Sequence, residues 1–528
     1  MFRSWLRDVR FWAAALLLLG GGLRLFDLFD QPIDFHPTRQ LRGMIVARGM
    51  YYQMLPDADP LLRQLAMNFW SSTGQYEPSI LERLAALTYL AAGREVFWVA
   101  RVYNTLFWLV GGLALFALAR RLARQALDGA SGAPPGAALQ PEPAAPAADV
   151  AALAALAFYL VLPFSVQASR SFQPDPAMTA WMALAALALA RWSEQPTWPR
   201  ALAAGLLAGL AILTKAVSIY PMAGMLLAGV FYTYGLGRDK PFYRPLLRLL
   251  GSPQVWAMGL LSLGPVLLYY LTRQARASEF FSTWTMALSH LLLEPKFYAG
   301  WLALAAELVT PPALLLALLG VWLARGRGRW MLVGLWLGYI AYGLFLPYQM
   351  DTHSYYHLQL AWLVPLSMAP ALGRGAAWLL QRSSRAQLAG LGLALALLAF
   401  GAWQALVPFY GQDFSHEPAY WSEIAAYLPV DGKIVALTQD YGYRLMYYGW
   451  RKVVLWPNRG ELKLSSLRGS SKEFDAYFAK RTEGKRYFLI TAFRQYQDQP
   501  ALVEMLTTHY PLVAQAEGYL IFDLQQAH

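Results

Sequence analysis

A run of polar groups follows the first apolar stretch of this chain. DLFDQPIDFHPTRQLRG, residues 27–43, brings Asp27, Asp30, Asp34, His36, Arg39 and Arg42 directly behind FWAAALLLLGGGLRLF. A carboxylate there is able to act as a general base, and a guanidinium suits bidentate contact with phosphate. Further groups of this kind flank later apolar runs: Glu77 in GQYEPSIL, Asp175 between two prolines in SRSFQPDPAMTAW, Lys215 in ILTKAVSIYPM, and Asp351, His353, Tyr356 and His357 in YQMDTHSYYHLQL. A charged side chain in or near hydrocarbon costs on the order of 3 kcal/mol on insertion scales, so it is kept where it finds a partner or does chemistry. Each group also has a plainer reading. Asp34 and Asp175 are able to cap helices, and Lys215 to anchor a helix end in the headgroup layer. His353 and His357 share a helix face as ligands of a divalent metal would, or they are hydrogen-bonded surface groups. Residue type alone leaves both readings open.

The elements that must position these groups are read from hydropathy. Hydrophobic residues make up 57% of the chain and charged residues only 14%, against about a quarter in soluble domains. Apolar runs recur from residue 11 to about 407, and spans are predicted over 10–29, 98–118, 149–166, 176–192, 200–214, 217–236, 254–271, 300–323, 330–347, 358–373 and 388–407, about eleven in all. The first is read as a retained helix, because no small-residue cleavage site follows it. With the N-terminus inside, Arg3, Arg7 and Arg10, Arg120, Arg121 and Arg124, Arg191 and Arg200, Arg238, Lys240, Arg244 and Arg248, Arg325, Arg327 and Arg329, and Arg374, Arg382 and Arg385 all fall in cytoplasmic segments. The short outer loops hold only Arg170, Lys215, Arg273, Arg276 and Lys296. The net charge of +12 therefore reads as orientation by the positive-inside rule and not as nucleic-acid binding. An odd span count places the C-terminus outside. Asp34, Glu77, Asp175, Lys215 and His353 then share one membrane face, which points to a site there.

The domains predicted are a membrane module over 1–407 and an extracytoplasmic α/β domain over 408–528. The module includes a large first outer loop, 30–97, and a cytoplasmic linker, 119–149, whose Ala/Pro/Gly-rich part reads as flexible. TRQLRGMIVARGMYYQML in the outer loop has helical spacing and is expected to lie in the headgroup plane or to pack as a surface helix, Arg outward. After residue 408, KIVALT, KVVLWP, RYFLIT and YLIFDL read as buried strands alternating with helices, so a small and mostly parallel sheet is expected. It carries no glycine-rich phosphate loop, so acceptor recognition or a lid is the expected role. The chain has no cysteine, hence no disulfide framework and no thiolate metal site.

The order of the motifs IDFHPTRQ, YEPSILERLAALTYLAAG, FQPDPAMT, LAILTKAV and HSYYHLQLAWLVPL over residues 5–407 resembles the GT-C glycosyltransferases. It is closest to family 39, with its protein O-mannosyltransferases and lipid A aminoarabinose transferases. The resemblance implies transfer of a sugar from a polyprenyl-phosphate carrier, on the outer face, to a lipid, glycan or protein acceptor. It also implies roles. Asp34 matches the first-loop Asp that acts as base or positions the acceptor, Asp175 the second Asp, Lys215 the group facing the carrier phosphate, and Glu77 the Glu of a Glu-Lys-Pro stretch. Two departures stand out: Asp34 is followed by Phe35 and His36 where the family has Asp-Glu, and Glu77 is followed directly by Pro78. Arg39 or Arg42 is the expected substitute for the missing Lys, and His36, Glu77, His353, Tyr356 and His357 are left as substrate or metal groups. High Ala, Arg and Leu usage suggests a bacterial inner-membrane protein, with undecaprenyl phosphate as carrier. A transporter or lipid flippase is the main rival, though no inverted repeat and no midplane charge cluster is visible. A glycan polymerase or ligase using a lipid-diphosphate donor is the second.

Overall fold

The computed structural model describes residues 8–74, 77–128, 144–235, 243–272, 279–469 and 473–526. Residues 129–143 of the linker, Arg3, Arg7, Arg238, Lys240, Arg273 and Arg276 lie outside the described residues. The chain forms two compact units. The first is Met1–Leu28, Tyr76–Pro78 and Arg101–Gly411; the second is Phe29–Gln75, Ser79–Ala100 and Gln412–His528. Most of the segment 30–97 thus groups with the C-terminal residues.

The helical unit carries a helix at every predicted span, since a segment in lipid must satisfy its backbone polar groups internally. By length and composition, six described helices suffice to cross a membrane: Val99–Asp128, Ala144–Val161, Ala216–Thr233, Pro253–Leu271, Ser354–Leu380 and Ser384–Tyr410. The expected span 300–323 is instead two helices, Pro295–Val309 and Pro311–Leu323, bent by 96°; counted as one span they make seven. Pro311 and Pro312 force the bend: Pro supplies no N–H and bars the helical region to the residue before it, and Thr310 takes φ 69°. The span 149–166 breaks likewise at Pro163. Helix Val99–Asp128 runs into the expected linker range, because ARRLARQALD contains good helix formers and no proline, and the next helix begins at Ala144.

The break at Pro163 leaves carbonyls at the end of Ala144–Val161. Ser165 Oγ donates to Tyr159 O at 2.7 Å, and the buried Arg24 donates to Leu160 O at 2.9 Å and to Ser169 Oγ at 2.6 Å. A cation inside an apolar bundle is tolerated here because broken backbone supplies its acceptors. Helix Ile219–Thr233 crosses Gly326–Phe345 at glycines. A Cβ on Gly338 would lie 2.4 Å from both Pro221 Cα and Tyr220 O, whereas one on Gly375 would meet nothing within 4 Å. Gly338→Val should therefore lower stability by about 1–3 kcal/mol or more, through separation of the two helices. Gly375→Ala should be near neutral. Thermal unfolding of the two detergent-solubilised variants checks the contrast.

The second unit contains a five-stranded sheet of β1 (Ile434–Leu437), β2 (Val454–Leu455), β3 (Tyr487–Ile490), β4 (Leu512–Ala516) and β5 (Tyr519–Asp523), in the order β2-β1-β3-β5-β4. β1 is parallel to β2 and β3, pairing Val435 with Val454 and Phe488, while β5 runs antiparallel to β3 and to β4. The sheet is mixed and not mostly parallel, because only Glu517 and Gly518 join β4 to β5, and so short a link makes a hairpin. Both faces are covered. Ile434, Ala436 and Leu489 pack with Trp421 and Leu445; Val435, Leu437 and Phe488 pack with Trp456, Phe478 and Leu502.

Helix Pro37–Met54 belongs to this unit and is buried from Gln40 to Tyr51. Arg42 and Arg48 do not turn outward as expected. Arg48 makes three bonds of 2.8–3.0 Å to the Glu95 carboxylate and one of 2.5 Å to Tyr447 O, with its guanidinium 3.8 Å from the Tyr447 ring and 4.4 Å from Trp450. Burial disfavours its charge, but Glu95 and Tyr447 outweigh that and raise its pKa. An ion pair with this many hydrogen bonds meets the condition under which burying two charges is tolerable.

Candidate active site

In the helical unit the structure joins two of the groups singled out above. Asp175 is the first residue of helix Asp175–Glu194, with Pro174 before it and Pro176 in the first turn, where a missing N–H is harmless. Lys215 ends helix Trp198–Thr214 in extended conformation. Lys215 Nζ donates to Asp175 Oδ1 at 2.7 Å. Asp175 is 1% exposed and Lys215 4%, so neither the headgroup anchor nor the plain cap describes them. Asp175 Oδ2 is buried and has no hydrogen-bond partner among the described residues. The ammonium also lies 5.1 Å from the Tyr355 ring and 4.8 Å from that of Tyr356, within cation–π range. Tyr356 in turn stacks on Tyr342, 6.3 Å between centroids. The unit thus holds a desolvated carboxylate–ammonium pair walled by tyrosines, with one carboxylate oxygen spare.

The histidines of the same stretch are not a metal pair. His357 Nε2 lies 2.9 Å from Met350 O, an acceptor, so Nε2 carries the proton. Nδ1 then accepts from Tyr339 Oη at 2.6 Å, and Tyr339 Oη accepts from Trp301 Nε1 at 3.0 Å. Both ring nitrogens of this fully buried ring are engaged by protein. His353 Nδ1 lies 2.6 Å from Thr352 Oγ1, and its ring packs edge-on to Tyr355 and Tyr356. Among the described residues no three His, Asp or Glu side chains gather as a metal would need. Glu77 is half-buried, in the short piece Tyr76–Pro78 of the helical unit.

The second unit holds the first-loop groups. Asp34 is half-buried, and its Oδ1 accepts Gln40 Nε2 at 3.0 Å; the same amide donates to Phe35 O at 2.8 Å. His36 stands at the N-terminus of helix Pro37–Met54 with φ 45°, the left-handed region, and its carbonyl accepts Arg39 N at 2.9 Å. A non-glycine residue in that region holds on the order of 1 kcal/mol of strain or more. Arg42, expected at the carrier phosphate, is a structural tie: it is buried, donates to Gly74 O at 2.7 Å and lies 3.9 Å from Glu82. Arg39 keeps partial exposure. Sequence reasoning missed Gln40. Its one signal was its place, within the first helical turn after Asp34.

Residues 147–251, about a fifth of the chain and containing both Asp175 and Lys215, match the family described as dolichyl-phosphate-mannose-protein mannosyltransferase. No curated protein matches the chain. Among solved structures, ArnT from Cupriavidus metallidurans bound to undecaprenyl phosphate is similar at 16% identity and a TM-score of 0.52, over 97% of each chain. The apo state of the same protein gives 16% identity and a TM-score of 0.53, over 98% of this chain and 97% of that one. The likeness spans both units and establishes the fold: a GT-C-type helical membrane protein with a small C-terminal sheet.

Proposed function

We propose that the protein is a glycosyltransferase of the inner membrane. On the extracytoplasmic face it would take a sugar from a polyprenyl-phosphate carrier and give it to a lipid, glycan or protein acceptor. The observation that carries this reading is the buried Asp175–Lys215 pair inside the segment that matches the mannosyltransferase family. A lysine held in low dielectric beside two aromatic rings interacts with a phosphate far more strongly than one in water.

In the reaction, the acceptor oxygen bonds to the anomeric carbon as the bond from that carbon to the phosphate oxygen breaks. The acceptor proton passes to the carboxylate of Asp34, and polyprenyl phosphate leaves with its negative charge facing Lys215, with Arg39 as the first-loop cation. Asp175 already binds the ammonium through Oδ1, which suits it to orienting Lys215 and accepting a hydroxyl at Oδ2, not to attack on carbon. One base without a nucleophilic carboxylate gives direct displacement and inversion.

The test is reconstitution of the full chain in liposomes with undecaprenyl-phosphate-linked, radiolabelled sugars and a membrane extract as acceptor source. Label should move to an acceptor while free undecaprenyl phosphate accumulates, with inverted anomeric configuration. Label that crosses the bilayer still attached to its carrier would identify a flippase instead.

A further inference from the structure

Asp34 lies in a strap, residues 30–38, that C-terminal residues of the same unit hold at both ends. At one end the Asp30 carboxylate accepts the Phe414 backbone N–H at 3.0 and 3.1 Å, and Gln31 Oε1 accepts the Tyr448 hydroxyl at 3.1 Å. At the other end Thr38 Oγ1 donates to Asp440 Oδ1 at 3.1 Å. Asp440 is fixed in its turn: Arg444 Nε donates to its Oδ2 at 2.6 Å, Arg444 also bonds Glu417 at 2.7 Å, and Glu417 accepts Trp421 Nε1 at 2.7 Å.

The place of Asp440 in the sheet is informative. It follows β1, the strand whose two parallel neighbours, β2 and β3, lie on opposite sides. The carboxyl end of such a strand is the switch point at which open α/β sheets ordinarily take a ligand. Here the loops close on each other: Gln439 Nε2 donates to Thr491 O at 2.9 Å, and Thr491 Oγ1 to Gln439 Oε1 at 2.6 Å. Asp440 and Tyr441, at φ 50° and 57°, then turn the chain through two left-handed non-glycine residues into Gly442. That conformation is strained, and it persists where surroundings over-determine it. What it achieves in this structure is a carboxylate aimed at Thr38.

We infer that the C-terminal domain is a template for the proposed base, with Asp440 and Thr38 as positioning residues that fix the strap carrying Asp34. This rests on the reading of Asp34 as the base. Neither Asp440 nor Thr38 exchanges a proton with substrate. They act through the backbone between Thr38 and Asp34, whose left-handed His36 relaxes when the far end is released.

Thr38→Val keeps shape and removes the donor, while Thr38→Ser keeps the donor. Hydrogen exchange on the full-length protein in nanodiscs is the first readout. The Val variant should lose about tenfold or more protection at the amides of Arg39 and Gln40, which the His36 carbonyl accepts, with β1 and β3 unchanged, and the Ser variant should match the parent. Transfer from undecaprenyl-phosphate sugar is the second: kcat should fall about tenfold with KM for the donor unchanged, since misplacement of about 1 Å is worth up to 10²-fold. Unchanged exchange in the Val variant, a loss spread equally over the sheet, or a loosened strap with normal kcat each overturns the inference. A parent protein that shows no transfer with any donor overturns the function instead, and the exchange data still decide whether Asp440 fixes the strap.

Discussion

Asp34→Asn is expected to lower the rate of sugar transfer by about 10²–10⁴-fold, the usual contribution of a positioned general base. The substitution removes the basic carboxylate and keeps its contact with Gln40. Asn Oδ1 still accepts the Gln40 amide that Asp34 Oδ1 accepts at 3.0 Å, so the strap and the start of helix Pro37–Met54 keep their geometry. Unfolding temperature and membrane insertion should match the parent, and KM for the donor should change little, because the donor phosphate is assigned to Lys215. The control is Asp27→Asn. Asp27 serves through its carbonyl, which accepts Arg101 at 3.4 Å and Arg170 at 2.9 Å, and that survives the change. Near-parental transfer by Asp27→Asn beside a collapse in Asp34→Asn is the expected pattern. Full turnover by Asp34→Asn would refute the assignment of the base.

The helices were legible because a long apolar run is a strong signal: each predicted span has its helix. What hydropathy could not convey was continuity. Pro311 and Pro312 sit inside an apolar run, and averaging over it hides the 96° bend they impose. Of the strands, β1, β3 and β5 were visible as buried runs in the sheet interior, and β2, at one edge and only half-buried, as the apolar run KVVLWP. β4 was not, because Leu512 and Val513 are exposed at the sheet edge and its hydrophobic alternation is weak. The arginines of helix Pro37–Met54 misled for a different reason. An arginine on an amphipathic pattern reads as solvent-facing unless its partner is known, and the partners, Glu82 and Glu95, come from later segments. Asp175 and Lys215 were both recognisable as costly residues near an apolar run. That they neutralise one another across 40 residues is tertiary information that no local pattern contains.

Lys215→Met tests what that pair is for. The substitution leaves Asp175, 1% exposed, without its cation, and breaking a buried pair from one side costs about 3–5 kcal/mol. A large drop in unfolding temperature is expected, together with loss of transfer, and the single variant therefore cannot separate folding from chemistry. The double variant Lys215→Met/Asp175→Leu does. Replacing both charges with apolar side chains of similar volume is commonly neutral or stabilising by about 1–4 kcal/mol, so the unfolding temperature should return to the parental value or rise above it. Tyr355 and Tyr356, which wall the ammonium at 5.1 and 4.8 Å, would then pack on a thioether, a contact aromatic rings also favour. If the protein is restored in stability and still silent in transfer, stability does not account for a lysine and an aspartate buried together in a membrane bundle, and the phosphate role does. If the double variant is both stable and active, the pair is structural, and the cation that meets the donor phosphate must be sought elsewhere, with Arg39 the next candidate to replace.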